Sequence, residues 1–416
     1  MKLSENTSVP PGICLLSIFF FLGALPAFGQ LSLDTDDNNL SDVWEIFYFG
    51  EKGQDKSADN DGDGEKNEAE AGAGTDPTDE TDYLRVLDPQ SILDSKTVSF
   101  TTITGKRYRL DVSTDLVNWT SVEESAGTDL DFFGSGGVLS VDFSDGANPT
   151  ITGAVTRDVW LQAPPSGTSD LKSFFAGAGA PDGSEWRSSL KGPSNYSDNF
   201  GARYRGFIVP KETGNYTFYI AGRGVCEFHI NASGSAPTPA LAAEIDTEAE
   251  VAGISEEEWD HVANLGGTDT QKSSVFSLTA GTAYYFEIFH ADPGGADHIA
   301  VGWETPSSGS IEVVPGDCLR PIGAFSSSNG SDLFDNAGDH FVRVATYDFL
   351  DAEVLDSDGD GIDDATENLL LGYGFSPFSS ASPGHGEGND ADKLADLLNF
   401  NPSAENEMIS VTAVDD

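Results

Sequence analysis

Asp59-Asn60-Asp61-Gly62-Asp63-Gly64-Glu65-Lys66-Asn67-Glu68-Ala69-Glu70 sets acidic residues at alternate positions of a tight loop and closes on a glutamate. Alternate residues of such a loop point to its inside. Asp59, Asp61 and Asp63 would supply three carboxylates, the Glu65 carbonyl a fourth oxygen, Asn67 a direct or water-mediated one, and Glu70 a bidentate pair. Six to eight oxygens around one point is the preference of Ca²⁺, and Gly64 makes the sharp turn that brings them together. Asp356-Ser357-Asp358-Gly359-Asp360-Gly361-Ile362-Asp363-Asp364-Ala365-Thr366-Glu367 repeats the pattern, with Asp356, Asp358, Asp360, the Ile362 carbonyl, Asp364 and Glu367 as ligands. A further copy has Asp34, Asp36, Asn38, Asp42 and Glu45, so that in chain order the first, second and third loops begin at Asp34, Asp59 and Asp356. In the copy at Asp34, Asn39 takes the place of the turn glycine, and asparagine is the next best residue at positive φ.

Carboxylates gathered this closely repel by about 1 kcal/mol per pair with water-like screening, and by about 4 kcal/mol at an effective dielectric near 20. Without a cation each loop should open, so Ca²⁺ would act as a folding staple. Short helical patterns follow the loops: Val43 to Tyr48, Glu68 to Ala71, and Asn368 to Leu371. The second loop ends in Gly74-Thr75-Asp76-Pro77-Thr78-Asp79. Loop, helix and this ending resemble the thrombospondin type 3-like, EF-hand-like calcium repeats of exported bacterial proteins. The resemblance makes Asp76 and Asp79 further ligand candidates.

The rest of the chain reads as β structure. Residues 83–150 alternate at Thr97-Val98-Ser99-Phe100-Thr101 and Tyr108-Arg109-Leu110-Asp111-Val112, then run through Ser113-Thr114-Asp115-Leu116 to Asn118-Trp119-Thr120. This resembles a small β-sandwich module that accompanies such repeats, and Trp119 is read as a packing residue. Farther on, Arg203 to Ala221 places apolar runs, Phe207 to Val209 and Tyr216 to Ile220, around the turn Pro210-Lys211-Glu212-Thr213-Gly214, which predicts a hairpin. Ser277 to Ile288 repeats the strand, glycine turn and aromatic strand, and Ile299-Ala300-Val301-Gly302-Trp303 follows.

Val159-Trp160, Phe200 to Ile208, Thr213 to Phe218 and Gly302-Trp303 together resemble the PA-14 domain, a β-sandwich named after anthrax protective antigen, over roughly residues 155–322. The fold expected is therefore mainly β and multi-domain. It comprises a signal peptide (1–29), calcium repeats (30–82), a small β-sandwich (83–150), a PA-14-like sandwich (151–325) and a tail (326–416) holding one calcium loop, a flexible connector and an end strand, Ile409 to Val414. In carbohydrate-binding PA-14 relatives an aspartate pair after the Tyr-x-Phe-x-Ile strand holds Ca²⁺. Here that place reads Gly222-Arg223-Gly224, so no cation carries over to it. Arg223, Asp297 and His298 remain as ligand-binding candidates, each with a plain turn role as the other reading. Trp186, Tyr196 and Trp259 lie in irregular stretches where aromatic rings could stack on sugars, while Trp160 and Trp303 match framework positions.

Twenty-one basic against 70 acidic residues leave a net charge of −49 in 416 residues, which argues against nucleic acid or anionic membrane as a partner. An apolar run at Ile13 to Leu25, ending in Leu25-Pro26-Ala27-Phe28-Gly29, reads as a signal peptide cut before Gln30, with an uncleaved anchor as the other reading. The product is expected to be secreted or at the cell surface, with no membrane insertion. Export permits a Cys226–Cys318 disulfide; separate buried thiols are the alternative. Six scattered histidines form no H-E-x-x-H, and there is no G-x-S-x-G or P-loop. The expectation is a non-catalytic, calcium-braced protein whose partner is a glycan or cell-surface polysaccharide. A protein partner, or a place in front of a larger glycan-active enzyme, are the alternatives.

Overall fold

The computed structural model describes residues 34–87, 96–113, 115–122, 130–162, 170–194, 196, 199–245, 255–260, 271–292, 294, 297–323, 325, 327, 341–346, 355–380, 390, 393 and 394. The signal peptide, most of the connector and the end strand lie outside these residues.

Helix α1 (Asp42–Phe49) stops at Gly50 with φ 75°, and helix α2 (Asn67–Ala73) stops at Gly74 with φ 79°. Both C-caps need the left-handed backbone that glycine adopts without strain. The two repeats bury Leu40, Trp44 and Ala71 against each other, and the Trp44 indole donates to the Thr75 carbonyl at 3.3 Å. These helices are too short to stand alone, so the contact between repeats holds them.

The small β domain has two facing sheets. One orders strands Val86–Leu87, Thr97–Thr101, Val138–Asp142 and Thr150–Thr152; the other joins Arg107–Ser113 to Thr120–Ser121 and Asp131–Phe133. Its core is Phe100, Tyr108, Leu110, Phe132, Leu139 and Val141, all from inward positions of alternating strands. The second sheet takes its remaining strand, Phe341–Thr346, from the tail, paired antiparallel from Phe341↔Ser113 to Thr346↔Tyr108. Asp111, buried on this sheet, accepts from Arg109 at 3.1 Å and Arg343 at 2.8 Å across that junction. The tail thus belongs in part to the first β domain, which the division at 150 and 326 did not foresee. Trp119 lies under the Arg343 guanidinium, 4.5 Å from the ring centroid, as a packing residue.

The large sandwich packs a seven-stranded sheet against a four-stranded one. The run before Pro210 (Phe200–Ile208) sits in the first, paired with Tyr284–Asp292; the run after it (Gly214–Arg223) sits in the second, between Lys272–Leu278 and His298–Glu304. The predicted hairpin is therefore a corner between sheets. The second strand-turn-strand run behaves the same way, and the two corners bind each other: Gly281 N–H donates to the Pro210 carbonyl at 2.8 Å and Ala280 N–H to Thr213 Oγ1 at 3.0 Å. Both flanking strands carry large apolar faces, and only opposed sheets let those faces meet. Tyr204, Tyr216, Phe218, Phe228, Phe286 and Trp303 fill the interior. Trp186 and Tyr196, considered above as exposed platforms, are 7% and 5% exposed and serve as packing residues. Cys226 and Cys318 are separate buried thiols, and burial pushes both up, Cys318 to about 12.

Candidate functional site

The three acidic loops share one geometry. The fourth and sixth positions are left-handed in each: Asp37 and Asn39 (φ 58° and 66°), Gly62 and Gly64 (84° and 105°), Gly359 and Gly361 (76° and 93°). The first carboxylate receives amide donors from inside its own loop. Asp59 accepts from Gly62 and Gly64 at 2.8 and 3.2 Å, Asp356 from Gly359 and Gly361 at 2.7 and 3.0 Å, and Asp34 from Asn38 and Asn39 at 3.1 and 2.9 Å. The fifth residue uses one oxygen to accept from the N–H of the seventh: Asp63 from Glu65 at 2.6 Å, Asp360 from Ile362 at 2.9 Å, Asn38 from Leu40 at 2.7 Å. These bonds fix which oxygen faces inward. Oxygens of Asp59, Asp61 and Asp63 lie within 4.8 Å of one another, as do those of Asp356, Asp358 and Asp360, and of Asp34, Asp36 and Asp42.

The remaining oxygens test the fit to a cation. Asp61 Oδ2, Asp63 Oδ2 and both Glu70 carboxylate oxygens are buried with no hydrogen-bond donor, and so are Asp358 Oδ2, Asp360 Oδ2 and both Glu367 oxygens. A buried carboxylate without a donor or counter-ion is strongly unfavourable. An oxygen-only set of this kind fits a hard divalent ion, with Asp59, Asp61, Asp63 and Glu70 holding one and Asp356, Asp358, Asp360 and Glu367 another. Burial and then the neighbouring aspartates push Glu70 up to about 7 and Glu367 up to about 10. The first loop is milder. Its Glu45 Oε1 accepts from Gln54 N–H at 2.7 Å and Asn38 Nδ2 at 2.8 Å, leaving Oε2 as its donor-less oxygen at a ligand position.

The ninth position differs from the sequence reading. Asp364 accepts from Ser357 N–H and Oγ, both at 2.7 Å; Asp42 accepts from Thr35 N–H at 3.1 Å, Thr35 Oγ1 at 2.5 Å and Lys52 at 3.0 Å; Asn67 accepts from Asn60 Nδ2 at 3.3 Å. These side chains clasp the second position of their own loops. Asp364 lies outside the triad of Asp356, Asp358 and Asp360, whereas Asp42 both clasps and faces its triad. Leu40, not singled out in the sequence, is the seventh residue of the first loop, and like Ile362 it buries its side chain beneath the loop. Asp76 and Asp79 bind their own turns through Thr78 and Thr81.

On the large sandwich, the three ligand-binding candidates do come together. Arg223 ends one strand and His298 begins the next, as direct register partners, with Asp297 beside them. Gly224, at φ 95°, lets the chain turn here: a Cβ would lie 2.3 Å from the Ala291 carbonyl oxygen. His290 donates through Nε2 to the Arg223 carbonyl at 2.6 Å, and burial holds its pKa down to about 4. Asp297 and His298 are only 2% and 8% exposed, so neither offers itself directly to solvent. Burial lowers the His298 pKa, and Glu256 opposes that shift. Glu256 belongs to residues 255–260, held by Lys191 through Glu256 at 2.9 Å and Glu257 at 2.8 Å. Next to it opens a groove of about 490 Å³ lined by Tyr219, Ser255, Glu256, Glu257, Glu258, Trp259, Asp260 and Ile311.

The sequence model of the PA14 domain family matches residues 180–317, the span holding this corner, the groove and most of the sandwich. The chain carries a PA14 domain. Among solved structures, the PA14 domain is similar to a PA14 sugar-binding domain from an RTX adhesin, at 15% identity over 41% of this chain and 99% of that one, with a TM-score of 0.31. It is also similar to the A domain of epithelial adhesin 6 from Candida glabrata, solved in complex with Galβ1-3GlcNAc, at 13% identity over 42% and 92% of the two chains, TM-score 0.30. The PA14 domain of the antifreeze protein MpAFP gives 12%, 41%, 92% and 0.31. Among curated proteins, mouse N-acetyl-beta-glucosaminyl-glycoprotein 4-beta-N-acetylgalactosaminyltransferase 1 is 32% identical over 106 residues, a quarter of this chain and a tenth of the transferase. No described helix is long and apolar enough to cross a membrane.

Proposed function

We propose that this protein is an exported, calcium-braced glycan-binding protein, in which the PA14 domain meets the sugar and the acidic loops hold Ca²⁺ as structural staples. The observation that carries the sugar reading is the groove formed by Tyr219, Ile311 and residues 255–260. A pyranose has an apolar C–H face and a rim of hydroxyl donors. Trp259 and Tyr219 supply aromatic surface, and Glu256, Glu257, Glu258 and Asp260 supply acceptors around it, in a cavity of the size small ligands occupy. The missing aspartate pair moves the binding chemistry off the corner turn and onto this groove, so the sugar contact itself needs no metal. Calcium enters through the donor-less oxygens of the loops at Asp59 and Asp356, which brace the scaffold. The likeness to a galactosaminyltransferase favours a second reading, a module that serves a glycan-modifying activity.

Retention on an array of glycans and polysaccharides, measured in millimolar Ca²⁺ and in EDTA, tests the proposal. We expect retention in calcium, and at least a tenfold loss for Trp259→Ala at a temperature where circular dichroism shows the variant still folded. Wild-type protein that holds no glycan in either buffer would overturn the sugar reading. Release of sugar or of a transferred product from a bound glycan would move it to the second.

A further inference from the structure

The third acidic loop draws on a residue from well beyond its own twelve positions. Oxygens of Asp360, Glu367 and Asp390 lie within 4.8 Å of one another, and Asp360 also belongs to the triad with Asp356 and Asp358. Glu367 is fully buried in the loop, and both of its carboxylate oxygens lack a donor. Asp390 is fully buried too. Its backbone N–H donates to the Ser380 carbonyl at 3.1 Å, and its Oδ1 accepts from Lys393 at 3.0 Å. Lys393 thus stands against a group of acidic side chains that includes a buried, donor-less glutamate.

The place corresponding to Asp390 is filled differently elsewhere. In the first loop the outside group that reaches the closing glutamate is a backbone amide, Gln54 N–H, at 2.7 Å from Glu45. An amide relieves a carboxylate, whereas a second carboxylate raises the demand for a cation. Next to Asp390, Leu394 is buried with Ile362, Leu370 and Phe375 of the third loop region and with Val43 of α1 in the first repeat. Leu394, four residues beyond Asp390, thus also packs against the opposite end of the described chain.

We propose that Asp390 is a ligand of the third calcium site, and that Ca²⁺ bound there pins Asp390 and Leu394 to the loop and so helps hold Leu394 against Val43 of the first repeat. The inference rests on the calcium reading of the loop. It requires Asp390 to offer a carboxylate oxygen to the same ion as Asp360 and Glu367, in keeping with the six to eight oxygens Ca²⁺ prefers.

The test uses the full chain, stripped with chelator and titrated with Ca²⁺ alone by calorimetry, with melting curves in calcium and in EDTA. Asp358→Asn is expected to remove one calcium equivalent. Asp390→Asn should weaken one site at least tenfold and reduce the calcium-induced rise in melting temperature, while Lys393→Met, which removes only the ion-pair partner, keeps the site. Calcium uptake by Asp390→Asn equal to wild type, with the equivalent still lost in Asp358→Asn, overturns the role of Asp390 and leaves the calcium reading standing. Equal destabilisation by Asp390→Asn and Lys393→Met in both buffers shows an ion pair only, and also overturns it. A wild-type chain that takes up no calcium overturns the loop reading and this inference with it.

Discussion

Replacing Glu367 by glutamine separates a calcium ligand from an ordinary buried polar residue. Glu367 has carboxylates of Asp360 and Asp390 within 4.8 Å. Each such pair repels by about 1 kcal/mol with water-like screening and about 3 kcal/mol at an effective dielectric near 20. Burial first, then Asp358, Asp360, Asp364 and Asp390, push the Glu367 pKa up to about 10, so its neutral form takes up part of that repulsion and the low end of the range applies. In chelator, Glu367→Gln should therefore be more stable than wild type by about 2 to 3 kcal/mol, with the small numbers favoured because an open loop relieves itself. Calcium at a hundredfold excess over its dissociation constant returns about 2.7 kcal/mol to the wild type through this site and nothing to the variant. The gap should then close. At roughly 2–4 °C per kcal/mol, the variant melts roughly 4–12 °C above wild type in EDTA and close to it in saturating calcium. Melting curves in the two buffers suffice. A variant less stable than wild type in EDTA, or offset equally in both buffers, would refute the reasoning, because the oxygens would then be making hydrogen bonds that do not depend on a metal.

Two further outcomes follow from the sandwich and the tail. His290 has its folded pKa depressed to about 4 against an ordinary 6.5, so the unfolded chain binds its proton first as pH falls. Its contribution to stability is intact above pH 6.5, and about 3 kcal/mol is lost on approaching pH 4. An NMR titration that finds the His290 ring half-protonated near 6.5 would contradict its burial against the Arg223 carbonyl. A chain ended before Phe341 leaves the Arg107–Ser113 strand without six register partners and Asp111 without Arg343, and exposed strand edges pair with other chains. It should aggregate or lose the small β domain by circular dichroism, and a monomer with unchanged strand content would speak against the tail as part of that sheet.

The loops were legible because everything that makes them is local. Ligand spacing, the left-handed turn at Asn39 and Gly64, and the apolar seventh residue Ile362 all lie within twelve consecutive positions, and each constraint selects a residue type. The same local view did not reveal the clasp made by Asp364 and Asn67, since an acidic or amide side chain at the ninth position can turn inward or clasp the second residue equally well. What decided it was the donor at the second position, Ser357 or Asn60, a residue the ligand pattern leaves unspecified. Trp186 and Tyr196 were misread for a related reason: irregular backbone says nothing of burial, and both sink into cores built by distant strands.

Strand content was readable from alternation, and the PA14 resemblance from four short motifs in order. Alternation tells which side of a strand faces inward, but not which strand lies beside it. The corner at Pro210 therefore looked like a hairpin, although packing two large aromatic faces against each other places its arms in opposite sheets. By itself the sequence determined the backbone form of the loops, the acidic character of the chain and the β architecture, because these follow from residue types at short range. The tertiary structure alone decided that Phe341–Thr346 completes a sheet begun more than two hundred residues earlier, that Asp390 meets Glu367, and that Trp259 lines a groove with Tyr219. Those juxtapositions depend on which buried surfaces fit one another across the whole fold, and no local spacing encodes that fit.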